Sequence, residues 1–175
     1  MKRDMDQMMY RLPQAEDEEM VLDYVREHLE QGETSLTASH DLTSLPYGGW
    51  VGMVRKNALE GEPVLGRFLL YLCIMEGRLT GLLSIRCELK EDLARKYGHI
   101  GYGVRPSERG KGYGTLMLGH ALSVCREKGM TEVILGCYKD NRASAAVIEK
   151  NGGILEAEND NYRKGRLSRY YRIRL

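Results

Sequence analysis

"RPSERGKGYGTLMLGHAL", Arg105 to Leu122, places four glycines and three basic residues in front of an apolar-faced helix. The first turn of a helix leaves its backbone N–H groups without intrahelical partners and carries about half a unit of positive charge. Glycines at that point allow positive φ and let an anion approach the main chain with no Cβ in the way. The stretch therefore reads either as a phosphate cradle or as a tight strand-to-helix connection with no ligand. Two familiar phosphate loops are excluded by inspection. A dinucleotide fingerprint would need glycine where Thr115 or Met117 stands, and a Walker-type loop would need Ser or Thr after Lys111, where Gly112 stands. What remains is R-x-x-G-x-G, formed by Arg109, Gly112 and Gly114.

Working outward, "GHIGYGVRP" before this loop is strand-like and stopped by Pro106, and Tyr113 to Lys128 is helical and closed by Gly129. "TEVILGCY" follows as a buried β-rich run, then a helix from Asn141 to Asn151 closed by Gly152 and Gly153. The order is β-α-β-α. If its two strands share a sheet, they run parallel through a right-handed crossover. Upstream, "MMYRL" is a short strand ended by Pro13, and Met20, Val21, Tyr24, Val25 and Leu29 set a helix ended at Gly32. Thr34 to Pro63 is irregular, with room for one helix in "GWVGMVRKNALEG". Two apolar runs joined at "EGR", with Gly77 in the turn, predict a hairpin, and "GGILEAEND" and "RLSRYYRIRL" predict a final pair of strands.

Length and composition limit the function. The 175 residues suit one domain, residues 1–175. A net charge of +1 and a single Trp give no general attraction for nucleic acid and no stacking platform, and the four His form no metal-ligand spacing. Neither nucleic acid nor a metal is expected. Arg163, Lys164, Arg166, Arg169, Arg172 and Arg174 could form an RNA-binding face, but alternating Arg on a terminal strand reads more simply as a solvated sheet face. Cys73, Cys87, Cys125 and Cys137 form no C-x-x-C pair and sit in apolar stretches, which points to reduced thiols and a cytoplasmic location. The N-terminal stretch has no apolar signal core, no later run reaches membrane-spanning length, and no membrane partner is expected.

The R-x-x-G-x-G turn resembles motif A of the GNAT superfamily of acyl-CoA-dependent N-acetyltransferases. A second match, "NRASAAVIEKNGG" from Asn141 to Gly153, resembles that family's motif B. With "SIRCEL" and "GHIGYGVRPSERGKGYG", the chain is similar to a bacterial subgroup known as predicted acetyltransferases, strongly from Leu69 onward and by element order before it. The resemblance implies an α/β (α+β) fold: a mixed, mostly antiparallel central sheet containing a splayed parallel strand pair, flanked by helices. It also implies acetyl-CoA as co-substrate, no metal, and a small-molecule or peptide amine as acceptor, with a homodimer left open.

Residue by residue, the resemblance implies that the backbone of Arg109, Gly110, Lys111, Gly112, Tyr113, Gly114 and Thr115 holds the diphosphate. Gly103, Val104 and Arg105 would bond the pantetheine arm along an open strand edge, as any amide-bearing chain can be bound. Asn141 and Ser144 would contact the cofactor arm, while Asn141 also suits a helix cap. At the position where many relatives carry a proton-donating Tyr, this chain has Ile148. The proton then comes from Tyr138 or Ser144, from water, or from no group at all, positioning alone supplying much of the rate. Read without a proton donor, the chain would be a non-catalytic acetyl-CoA sensor. His99 is a candidate general base, unless strand alternation turns it away and puts Tyr102 or the main chain there. Arg86 is a candidate for an acceptor carboxylate, and the acceptor itself is shaped by Thr34 to Pro63 and Leu89 to Tyr97.

Overall fold

The computed structural model describes residues 7–175. Residues 1–6, the start of the stretch read above for a signal core, lie outside the described residues. The elements are β1 (Met9–Arg11), α1 (Glu18–Glu30), α2 (Tyr47–Glu60), β2 (Leu69–Met75), β3 (Arg78–Ile85), α3 (Glu91–Tyr97), β4 (Ile100–Val104), α4 (Tyr113–Glu127), β5 (Glu132–Tyr138), α5 (Arg142–Lys150), β6 (Ile154–Arg163) and β7 (Arg166–Arg174). The one element with no counterpart in the sequence reading is α3. It is only two turns long, although it carries acids first, Glu91 and Asp92, and bases last, Arg95 and Lys96, before Gly98 at φ 77°.

Among the described residues the strands form two hydrogen-bonded sheets, in the orders β1-β2-β3-β4 and β5-β7-β6, and every ladder is antiparallel. Side chains of β2 and β3 alternate between two cores. Leu70, Leu72, Ile74 and Leu82 face α1 and α2, whereas Cys73, Leu83 and Ile85 face the cluster that includes Met117, Leu118 and Ile148. Both faces of these strands are covered, which explains why their apolar runs are nearly continuous.

β4 and β5 touch but share no ladder and stand in different sheets, where the resemblance implies one mixed sheet with a splayed parallel pair. Among the described residues the backbone contact between them is His99 N–H donating to the Ile134 carbonyl at 2.8 Å. The His99 ring explains why pairing stops there. Its Nδ1 accepts the Ile134 N–H at 2.9 Å, so both main-chain groups of Ile134 are satisfied at one residue and the ladder does not propagate. Beyond this clip the strands part and open a cleft.

Candidate active site: a cleft between two splayed strands

The loop after β4 is built around two left-handed glycines, Gly110 at φ 75° and Gly112 at φ 88°, the latter capping α4. Its two ends are closed internally: Arg109 N–H donates to the Pro106 carbonyl at 3.3 Å, and Thr115 N–H to the Gly112 carbonyl at 3.1 Å. Between them, the N–H groups of Gly110, Lys111, Gly112, Tyr113 and Gly114 have no acceptor among the described residues. Five successive free donors at a helix start make a concave anion site. Gly114 sits where α4 crosses β4; a Cβ there would lie 3.4 Å from Val147 Cγ2 and 3.7 Å from the Tyr102 ring.

The basic side chains of the loop are engaged by acids. Arg109 forms a two-pronged pair with Glu33, at 2.6 and 2.7 Å, and its Nε donates to the Val104 carbonyl at 3.1 Å. Lys111 pairs with Glu108 at 2.8 Å. Arg105 is not a cofactor contact at all. It is 1% exposed, its Nε donates to the Leu79 carbonyl, its Nη1 reaches Asp23 and Glu27 at 2.9 Å each, and its own N–H is bonded to the Thr80 carbonyl. Glu27 also accepts the Ser107 N–H at 2.7 Å. Carboxylates of α1 thus hold the whole loop from behind. Removing the buried guanidinium in Arg105→Met leaves these groups unpaired and should lower stability by about 3 kcal/mol, read by urea unfolding. A stability within error of the natural protein would contradict this role.

Glu33 carries a pH consequence. The hydrogen bonds from Arg109 hold its carboxyl down to about 2, with His28 adding to the effect against the cost of burial. A depressed carboxylate stabilises the folded state above its unfolded pKa and loses that contribution as pH falls through the folded value. The clamp should therefore weaken between about pH 4.5 and 2. Thermal midpoints followed over that window should fall less steeply in Glu33→Gln than in the natural protein, and equal slopes would count against the clamp.

The register of β3 and β4 decides which backbone groups face the cleft. Arg86 N–H donates to His99 and Arg105 N–H to Thr80, so in an antiparallel ladder Gly101 and Gly103 spend their main-chain groups on β3. The N–H groups of Tyr102 and Val104 point the other way, into the gap. Of the three residues expected along the pantetheine arm, Val104 alone offers a free N–H, while Gly103 packs closely against the α1–α2 loop. A Cβ there would come within 3.1 Å of the Thr37 carbonyl.

The side chains expected to carry catalysis separate clearly. His99 is buried, burial lowers its pKa, and its Nδ1 is taken by Ile134, so it is a clip between strands and not a base in the cleft. Tyr102 is pushed up to about 12, chiefly by burial, and its hydroxyl is bonded to Ser144 Oγ at 2.9 Å, so it too is unsuited as a base. Asn141 caps α5 by accepting the Ser144 N–H at 3.0 Å. Ile148 is fully buried; a Cβ on Gly153 would collide with its Cγ2. Tyr138 ends β5 in the cleft, with the Arg166 guanidinium 3.6 Å above its ring and no hydrogen bond to its hydroxyl among the described residues.

Two cavities meet at Tyr138. One of about 220 Å³ lies between the splayed strands and is lined by Ile100 to Tyr102, Leu135 to Tyr138, Asn141 and Ser144. The other, about 500 Å³, lies between the α1–α2 loop and the β6–β7 hairpin, and Thr37, Tyr97, Gly101, Tyr138 and Tyr162 border both. The second holds Arg86 and a residue that carries no signal in the sequence, His40. His40 stacks on Phe68 at 3.9 Å, its Nε2 lies 2.6 Å from Ser84 Oγ, and burial followed by the Arg86 charge holds it down to about 4. It sits in a strained turn, with positive φ at Ala38, His40 and Asp41, pinned by Trp50 Nε1 donating to the Ser39 carbonyl. Nothing in "TASHDLTS" separates this His from an ordinary loop residue. The basic run near the C-terminus is largely ion-paired: Arg166 with Asp140, Arg169 with Glu158, and Arg172 with Glu132 and Glu156.

A family model described as the acetyltransferase (GNAT) family matches residues 9–153. The chain belongs to this family. It is an acetyltransferase by that membership, and solved structures share its fold at low identity. MccE, the microcin C7 self-immunity acetyltransferase in complex with acetyl-CoA and AMP, is 16% identical with a TM-score of 0.72, covering 97% of this chain and 93% of that one. RimL, the ribosomal L7/L12 α-N-protein acetyltransferase in complex with coenzyme A, is 20% identical with a TM-score of 0.71, covering 96% and 94%. An acetyltransferase from Salmonella typhimurium that modifies the N-terminal serine of L7/L12 is 20% identical with a TM-score of 0.67, covering 96% and 95%. No curated protein matches the sequence.

Proposed function

We propose that the acetyltransferase moves an acetyl group from acetyl-CoA directly to a primary amine, with the diphosphate on the Gly110–Gly114 amides and the acetyl group at the mouth where the two cavities meet. The observation that carries this reading is the run of five free N–H groups at the start of α4, in line with the free N–H of Val104 facing the cleft. Acetyl-CoA supplies the acetyl group as an activated thioester. Val104 N–H is positioned for the negative charge that develops on the acetyl oxygen as the amine nitrogen bonds to the carbonyl carbon. Tyr138 supplies the proton to the departing sulfur as the C–S bond breaks, and solvent returns the proton lost by the amine. No dedicated side-chain base is needed. Among the described residues, three guanidinium groups and no carboxylate line the acceptor cavity, and like charges disfavour the ammonium form of an entering amine. A reducing cytoplasm is the proposed setting, supported by four free cysteines.

The test is a titration with acetyl-CoA by calorimetry, followed by an assay of thiol release with a panel of amines, amino acids, aminoglycosides and peptides. Saturable binding and release with at least one amine are expected. Binding without release from any amine would replace this reading by a non-catalytic acetyl-CoA sensor, and absence of binding would remove both.

A further inference from the structure

We infer that the acceptor is a small amine that also carries an oxyanion, a carboxylate or a phosphate, and that this oxyanion seats on Arg86 in the second cavity. The inference rests on the amine-transfer reading only for where the amine ends up, at the Tyr138 mouth.

The first support is the charge of the cavity wall. Arg86, Arg163 and Arg166 line it, and among the described residues no Asp or Glu does. Several arginines of the chain are matched by acids, among them Arg78 with Glu27 and Glu108, Arg169 with Glu158, and Arg95 with Glu91, whereas Arg86 and Arg163 have no acid partner among the described residues. Arg166 retains a partner in Asp140 at 3.1 Å and packs over Tyr138, while Arg163 sits exposed at the rim.

The second support is Arg86 itself. It follows the end of β3 and is half-buried, and its side chain makes no hydrogen bond or ion pair among the described residues. Its Nε is shut off from solvent with no partner. Glu62 lies within electrostatic range and is not bonded to it. A guanidinium removed from water without a counter-charge costs free energy, and burial accordingly lowers its pKa. A planar fork of donors left open in this way matches the two oxygens of a carboxylate or phosphate.

The third support is the shape of the surroundings. Ser84 and His40 are locked together beside Arg86, and the strained turn at Ala38 to Asp41 is fixed by Trp50, so the wall is formed in advance. A cavity of about 500 Å³ suits a small metabolite. A folded protein surface would need an open groove instead.

The experiment compares amines that differ only in the anionic group: amino acids against their amides, and O-phosphoethanolamine against ethanolamine. The natural enzyme should acetylate the anionic member of at least one pair with a kcat/KM about tenfold or more above its neutral partner. The pair that shows it identifies carboxylate or phosphate. In Arg86→Met the preference should collapse toward unity while acetyl-CoA affinity holds. Since that variant removes an unpaired charge, it should fold at least as well. Equal rates within every pair, a preference that survives Arg86→Met, or turnover confined to peptides with acidic N-terminal residues would overturn the inference.

A readout without turnover separates this inference from the enzyme reading. In protein saturated with CoA, the Arg86 Nε–H resonance should move on adding the anionic probes and stay in place with the neutral ones. A resonance that ignores both would overturn the anion seat. Binding at Arg86 with no acetylation of any probe would uphold the seat and count against amine transfer.

Discussion

Gly112→Asp is expected to bind acetyl-CoA at least ~100-fold more weakly than the natural protein, a loss of about 2.8 kcal/mol, while keeping its fold. Gly112 stands at φ 88° as the cap of α4, at the centre of the five free N–H groups. Asp is among the few residues that tolerate this conformation and is a good helix cap, so the helix should survive the change. Its carboxylate, however, would lie where a diphosphate must sit, taking up the same donors and repelling the ligand. Gly112→Asn has the same shape without the charge and should lose less. Calorimetry on both variants, with circular dichroism to check the helix, measures the difference. Unchanged affinity in a folded Gly112→Asp protein would remove the diphosphate from this loop.

This loop is legible in the sequence because glycine identity encodes backbone geometry directly. Gly110 and Gly112 take the left-handed φ that their spacing before a helix suggests. Side-chain roles are legible only where the partner is close in sequence, as for Asn141 and Ser144, three residues apart. Arg105 and Arg109 look alike as cations beside a phosphate loop. Their partners Asp23, Glu27 and Glu33 stand on or just after α1, about eighty residues earlier, and only the fold reveals that one Arg is buried and both are engaged. His99 fails as a base for the same reason, since the Ile134 N–H that occupies its Nδ1 lies beyond α4. His40 is hidden in the sequence because its burial comes from stacking on Phe68, a contact that a polar loop does not announce.

The alternation of β2 and β3 shows the opposite case. Their near-continuous apolar runs predict a hairpin, and the hairpin forms, yet the runs conceal which residues face α1 and α2 and which face α4 and α5. That division matters for the site. The face bearing Leu82 supports α1, whose acids hold the phosphate loop, while the register that pairs Leu82 with Gly103 leaves the Val104 N–H free for the cleft. The same strands thus position the back of the loop and the front of the active site.

Tyr138→Phe should lower the single-turnover rate of acetyl transfer by ~100-fold or more, with acetyl-CoA affinity kept. Of the hydroxyls near the cleft, Tyr102 and Ser144 are bonded to each other at 2.9 Å, the Tyr102 phenol is raised to about 12, and Tyr170 donates to the Lys96 carbonyl; Tyr97 and Tyr162 are unbonded among the described residues but do not lie at the end of a strand facing the Asn141 helix start. Tyr138 is uncommitted, borders both cavities, and is held in orientation by the Arg166 guanidinium 3.6 Å above its ring. Ile148→Tyr provides the contrast. Residue 148 packs in the core against Gly153 and does not line either cavity, so a phenol introduced there meets a filled interior. Overpacking of that kind costs about 1–3 kcal/mol. The variant should therefore be less stable and no faster, since its hydroxyl does not enter the mouth where the sulfur departs. If Tyr138→Phe turned over normally, or Ile148→Tyr gained rate, the end of β5 would lose its role as proton donor.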